Sequence, residues 1–328
     1  MAKYKRNRQS LNSETSCVLD VTDRSPSGHS FNFEKDRRLK DFLCIVRERI
    51  MSPLLKLKYP ESASMNFGLI AKEWSMSLQR QRLFCSRVLG GLKGKTVLVL
   101  GCGYGGDALA WLSLAPARII AVDIVNYESC WQKAISLYST EKTKLDFYQF
   151  DLVANDWDFL VPGSVDVIFS YAVLEHLSDL SLVIERAKNA LKPEGLFVAS
   201  YGPLWFGPHG DHTFPKSEDD CYNHLLLDDN EYQAYVERII GEWAHSENGN
   251  DGTFLLEKGY YSYLRPNEYL EAFVSSGFEI ILSIINISSI ADRYFKKYPK
   301  RLVEFKEKFK LKTIDLYASG STIILRKL

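Results

Sequence analysis

Neither sign of charge dominates this sequence. Its 41 Lys and Arg residues face 41 Asp and Glu residues, for a formal net charge of zero. A nucleic-acid surface needs a basic excess or stripe, so no nucleic-acid partner is expected. Cysteine is sparse. The six residues, Cys17, Cys44, Cys85, Cys102, Cys130 and Cys221, include no Cys-x-x-Cys pair. That spacing argues against a disulfide framework and against a zinc knuckle, and it reads as a reduced, cytoplasmic chain. No apolar run approaches the roughly 20 residues of a membrane span, so no transmembrane segment is expected. The N-terminus has no apolar signal core. There is no internal repeat and no pattern that sets an oligomeric state. What the sequence does have is 328 residues, 46% of them hydrophobic, enough for the core of one large or two modest domains.

The chemistry starts at residues 97–107, Val-Leu-Val-Leu-Gly-Cys-Gly-Tyr-Gly-Gly-Asp. Four apolar residues run into a glycine cluster, and Ala108, Leu109, Trp111 and Leu112 continue as a helical pattern. A strand, a tight glycine turn and a helix start let backbone N–H groups approach a nucleotide-like ligand. Gly101, Gly103 and Gly106 also fit the G-x-G-x-x-G dinucleotide pattern, which keeps a nicotinamide cofactor open. Residues Arg118 to Asp123 form a second apolar strand ending in an acid about twenty residues on, where a carboxylate can take ribose hydroxyls in either class of enzyme. Further strands are predicted at Leu145–Phe150, before Asp151, at Val165–Ser170, before Tyr171, and at Gly195–Ser200, before Tyr201. Alternation with helices implies right-handed parallel βαβ units, whose ligands gather outside the carboxyl ends of the strands.

Five segments together resemble the class I S-adenosylmethionine-dependent methyltransferases, in the family's order and spacing. They are Val-Leu-Val-Leu-Gly-Cys-Gly-Tyr-Gly-Gly (97–106), Ala-Val-Asp (121–123), Phe-Asp-Leu (150–152), Phe-Ser-Tyr-Ala-Val-Leu-Glu-His-Leu (169–177) and Leu-Lys-Pro-Glu-Gly-Leu-Phe (191–197). The resemblance covers residues 93–204 well and 264–328 loosely. It implies a Rossmann-like, doubly wound, mostly parallel α/β sheet of seven strands with an antiparallel edge hairpin. It further implies N-terminal helices and an inserted lid after the fifth strand. S-adenosylmethionine is the implied cofactor, held by Gly101, Cys102, Gly103, Gly105, Asp123, Ile124, Phe150, Asp151, Leu152 and Tyr171. The Glu175-His176 pair would support the pocket floor. One position departs from the family, which carries an acid two residues before the first glycine. Here that residue is Val99.

The rest of the chain divides around this core. Residues 1–30, polar and basic, read as a mobile tail. Residues 31–92 read as an N-terminal helical segment, with helices over 34–58 and 63–92. Residues 93–204 and 264–328 form the cofactor-binding core, and 205–263 an irregular, acceptor-binding insertion. Arg265-Pro266-Asn267-Glu268 opens a helix that Gly277 ends, Phe278–Ile287 is a sixth strand, 289–311 is helical, and Ile314–Arg326 is a final strand with a bulge at Gly320.

The insertion carries the candidate chemistry of methyl transfer. His209-Gly-Asp211-His212 follows the fifth strand, and a histidine is suited to taking a hydroxyl proton. His209, Asp211 and His212 are therefore the candidate catalytic residues. The same three side chains offer a divalent-metal set, although no metal is expected. Trp205, His224, Trp243, His245 and Tyr260 to Tyr263 are candidate lining for a small-molecule or glycan acceptor, methylated at a hydroxyl. Two other readings stand beside this one: an NAD-dependent oxidoreductase, and a cofactor-binding or interaction module without catalysis. The Asn/Asp-Pro-Pro-Tyr/Phe tetrapeptide of base amino-group methylation is absent after the fourth strand, where Ser170-Tyr171-Ala172-Val173 stands.

Overall fold

A computed structural model describes residues 32–35, 78–212, 217–244 and 261–328. The tail, most of the N-terminal segment, His245 and Tyr260 lie outside these residues, and of Trp243 only the backbone is described.

The strands follow the apolar runs. In chain order they are β1 (Asn32–Lys35), β2 (Thr96–Leu100), β3 (Arg118–Asp123), β4 (Lys144–Gln149), β5 (Val165–Tyr171), β6 (Leu191–Tyr201), β7 (Glu279–Ile287) and β8 (Ala318–Arg326). They form one sheet in the order β1-β7-β8-β6-β5-β2-β3-β4. Neighbours from β4 to β6 are parallel, and β8 runs antiparallel to both β6 and β7. This is the expected seven-stranded, mostly parallel sheet with its antiparallel pair, extended by an eighth strand. β1 adds in parallel to β7 and begins inside the segment expected to be helical. That part of the expectation is corrected: a four-residue edge strand is too short to show a period.

Helices cover both faces, which is why the central strands read as unbroken apolar runs. They are α1 (Gln79–Val88), α2 (Gly106–Leu109), α3 (Glu128–Tyr138), α4 (Leu180–Ala190), α5 (Asn223–Leu226), α6 (Asp229–Ala244), α7 (Pro266–Ser275), α8 (Ser289–Lys297), α9 (Pro299–Phe309) and α10 (Thr313–Tyr317). Side chains of β2 alternate between the two cores. Leu98 and Leu100 join the core under α4, α7 and α8, while Val97 and Val99 join the one under α1 and α3.

Two further expectations are corrected. Residues 313–317 are a helix, and the last strand begins only at Ala318. A short apolar run fits either period, and here the Asp315 carboxylate receives the Lys312 N–H and starts a helical turn. The insertion is not irregular throughout, because α6 runs for 16 residues within it. The bulge falls beside Gly320, where the β7–β8 register slips by one residue.

Candidate functional site

The strand order reverses direction at β2. β3 lies on one side of it and β5 on the other, so their crossovers diverge and leave a crevice at the carboxyl ends. The glycine turn fills the mouth of this crevice. Gly101 and Cys102 both donate to Val122 O, at 2.8 and 3.0 Å, which ties the turn to the end of β3. Gly101 has φ 70°, and a Cβ there would lie 2.0 Å from Val173 Cγ2. Gly103 has φ 50°, but a Cβ there would meet no atom of the described residues within 4 Å, so among them the turn faces open space at this residue. Trp131 Nε1 donates to Gly103 O from α3 at 2.8 Å.

The Asp123 carboxylate closes the turn from the other side. Its Oδ2 accepts the Gly103 N–H at 2.7 Å and its Oδ1 the Val125 N–H at 2.9 Å. Burial raises its pKa, and these backbone donors oppose the rise. Val99, where the resemblance expected an acid, is fully buried in the apolar core. The acid that orders the turn therefore comes from β3, through Asp123. Next to it Ile124 is 61% exposed, an apolar side chain held in the open at the crevice rim. The Cys102 thiol is buried and its pKa lies well above the ordinary value, first through desolvation, so it is not a nucleophile.

The next two strands add the opposite rim. Phe150 packs on Phe159, with ring centroids 4.5 Å apart. Asp151 Oδ1 accepts from Val153 and Ala154 N–H at 2.8 and 2.9 Å, capping the following turn, and the Leu152 side chain is in the core. Tyr171 ends β5, half-buried, with its pKa raised by burial and by the charges of Asp107 and Glu175.

Beyond β6 the insertion folds over this edge, and here the three candidate catalytic residues part company. His209 and His212 both have left-handed backbones, at φ 59° and 57°. His209 N–H donates to Cys221 O, and its side chain is within electrostatic reach of Glu218. Asp211 turns inward, where Oδ2 accepts from the Tyr232 hydroxyl at 3.0 Å and its carbonyl from the Tyr261 hydroxyl at 2.6 Å. It anchors α6 and the segment at 261. His212 turns to the site, edge-on to His176 with ring centroids 4.6 Å apart. His212 Nε2 is 3.2 Å from Pro203 O. A carbonyl only accepts, so Nε2 carries the proton and Nδ1 the lone pair. Desolvation first, then the His176 charge, lowers the His212 pKa to about 3.

Sequence reading missed Glu175 as a chemical group. It is buried, its Oε1 accepts the Gly202 N–H at 2.8 Å, its Oε2 has no hydrogen-bond partner among the described residues, and desolvation raises its pKa to about 8. Ligand atoms of Glu175, His176 and His212 lie within 4.8 Å of one another, so the donor set assembled here differs from the one at 209–212. Trp205, Tyr261 and Tyr263 wall the same region, with the Trp205 ring 4.7 Å from each tyrosine, and His224 is buried behind them on Trp205 O.

Residues 98–199 match the family model described as a methyltransferase domain. Sterol 24-C-methyltransferase of Pneumocystis carinii is 30% identical over 199 residues, covering 58% of this chain and 52% of that protein. Ubiquinone biosynthesis O-methyltransferase of Nitrobacter winogradskyi is 31% identical over 115 residues, 35% of this chain and 41% of that protein. The chain thus spans about half the length of the curated relatives it matches. Among solved structures, an S-adenosylmethionine-dependent methyltransferase of Mesorhizobium loti is similar with TM-score 0.43 and 19% identity, over 74% of this chain and 95% of that one. No helix among the described residues is long and apolar enough to cross a membrane.

Proposed function

We infer that this chain, whose residues 98–199 form a methyltransferase domain of the class I kind, is an S-adenosylmethionine-dependent methyltransferase that modifies a hydroxyl of a small-molecule or glycan acceptor. One observation carries the reading. The glycine turn, Asp123, Ile124, Phe150 to Leu152 and Tyr171 stand at the carboxyl ends of β2 to β5, around the point where strand order reverses. The residues fit the cofactor chemically. Asp123 retains carboxylate lone pairs for a ribose diol, exposed Ile124 offers an apolar face to a purine, and Gly103 leaves room beside the turn.

S-adenosylmethionine, when bound, supplies a methyl group already activated on sulfur, leaving with the C–S electron pair staying on that sulfur. The protein then has to align the acceptor and receive its proton. His212 is the residue proposed for this, with Nδ1 as the accepting atom. Its low pKa keeps it neutral through the physiological range, so it orients the hydroxyl before it takes a proton. His209 and Asp211 support the loop that presents it. The rings of Trp205 and Tyr263 give an acceptor an apolar wall, as a sugar or a fused-ring metabolite needs. A cytoplasmic location belongs to the same reading and is supported by Cys85, Cys102, Cys130 and Cys221, all free.

The test is methyl transfer from tritiated S-adenosylmethionine to panels of hydroxylated metabolites and sugars. Transfer to a hydroxyl compound that His212→Ala slows at unchanged cofactor affinity supports the reading. Transfer confined to carbon or nitrogen acceptors overturns its hydroxyl part.

A further inference from the structure

Three side chains able to ligate a metal meet where the insertion folds over the sheet edge. One ligand atom each from Glu175, His176 and His212 lies within 4.8 Å of the other two, and no second group of this kind occurs among the described residues. Glu175 and His176 follow β5, whereas His212 belongs to the insertion, so only the folded chain assembles the group. Two of the three are held from behind by one dipeptide. Gly202 N–H donates to Glu175 Oε1 at 2.8 Å, and His212 Nε2 donates to Pro203 O at 3.2 Å. Glu175 Oε2 is buried with no hydrogen-bond partner among the described residues, and the tautomer fixed by Pro203 puts the His212 lone pair on Nδ1. Ligands whose far atoms are fixed on the backbone are the outer-shell pattern of a metal site. A buried carboxylate oxygen without a partner is also costly, and a bound cation offsets that cost.

We propose that Glu175, His176 and His212 bind a divalent transition-metal ion, zinc by preference, in the wall of the acceptor site. Two imidazoles and one carboxylate suit that class of ion, whereas magnesium and calcium take oxygen ligands. Bonds of about 2.0–2.2 Å need donors roughly 3–3.5 Å apart, which small rotations of the two half-buried histidines supply. Three protein ligands leave a fourth position open. The Tyr261 ring lies 5.7 Å from that of His176 and 5.6 Å from that of His212, and it joins the group to the Trp205 and Tyr263 wall. An acceptor hydroxyl in the fourth position is oriented and made more acidic, and its proton passes to solvent. Its oxygen then bonds to the methyl carbon as the C–S pair stays on sulfur. This use of the ion rests on the methyltransferase reading, and in it His212 acts through the ion in place of taking the proton itself.

The full chain, stripped with a chelator, is titrated with zinc by calorimetry and with cobalt(II) by visible absorption. A single equivalent should bind, and cobalt should show the intense bands of a four-coordinate site. His212→Ala and Glu175→Gln should each weaken binding by about 100-fold or more, beyond the roughly 10- to 100-fold that loss of an outer partner costs. His176→Gln replaces either variant that circular dichroism shows to be unfolded, with the same expected loss. No ion bound by the wild type, or equal binding by the wild type and the variants, would overturn the site. Methyl transfer slowed by chelation and restored by zinc would support its place in the reaction. Transfer unchanged by chelation would overturn that place and leave the methyltransferase reading standing. Zinc bound here by a chain that binds no S-adenosylhomocysteine and transfers no methyl group would uphold the site and remove the methyltransferase reading.

Discussion

Asp123 Oδ2 accepts the Gly103 N–H at 2.7 Å, across twenty residues of sequence. One carboxylate therefore fixes the glycine turn and, in the proposed site, takes the ribose. Asp123→Ala removes both contributions. It should weaken S-adenosylhomocysteine binding by about 10- to 100-fold and cost about 1–3 kcal/mol of stability, because the Gly103 N–H loses its charged acceptor. Calorimetry and denaturant unfolding read the two effects separately.

The two glycines at the head of the turn should respond oppositely. Gly101→Ala forces a Cβ to 2.0 Å from Val173 in a left-handed backbone, and should destabilise the fold by about 2–4 kcal/mol. Gly103→Arg enters open space and should cost only about 1–2 kcal/mol, from the left-handed backbone. It should nevertheless abolish cofactor binding. Thermal unfolding with and without S-adenosylhomocysteine distinguishes the two variants.

Two buried carboxyls set a pH dependence of stability. Asp107 rises from 3.8 to about 7 and Glu175 from 4.5 to about 8, in each case chiefly by desolvation. Between the unfolded and folded values the native state holds protons that the unfolded chain has released. Stability is then greatest below about pH 4 to 5 as far as these two groups are concerned, and declines as pH rises to about 8. The melting temperature of the ligand-free protein should fall by at least a few degrees between pH 5 and 8. Asp107→Asn and Glu175→Gln should each flatten the slope, and an unchanged slope in both would contradict the assignment.

His212→Ala should leave S-adenosylhomocysteine affinity unchanged and slow transfer to a hydroxyl by up to about 10²-fold, chiefly through lost orientation of the acceptor. Because its pKa lies near 3, the wild-type rate should show no His212-linked inflection near pH 6.5. A rate that drops through pH 6.5 in the wild type and not in a weakly active His212→Gln enzyme would contradict the low pKa.

The core of the fold was legible because each central strand is an apolar run stopped by a glycine, an acid or a tyrosine, and those stops form the candidate site. β1 was not, since Asn-Phe-Glu-Lys is too short for a pattern and its pairing with β7 is a tertiary event. The apolar run 314–317 fits a strand as well as a helix, and the Lys312–Asp315 turn decides it. Sequence proximity grouped His209, Asp211 and His212, but left-handed backbones at both histidines separate the three side chains, and only His212 meets Glu175 and His176. Nothing in the sequence singles out Asp107 or Arg82, because their burial arises only when the chain folds.

The central claim is that the crevice at the reversal of strand order binds S-adenosylmethionine. Parallel calorimetric titration of the full chain with S-adenosylmethionine, S-adenosylhomocysteine and NAD tests it directly. The account predicts micromolar binding of the first two, lost in Gly103→Arg, and no heat with NAD. Binding of NAD alone, or equal binding of all ligands by Gly103→Arg and the wild type, would contradict it.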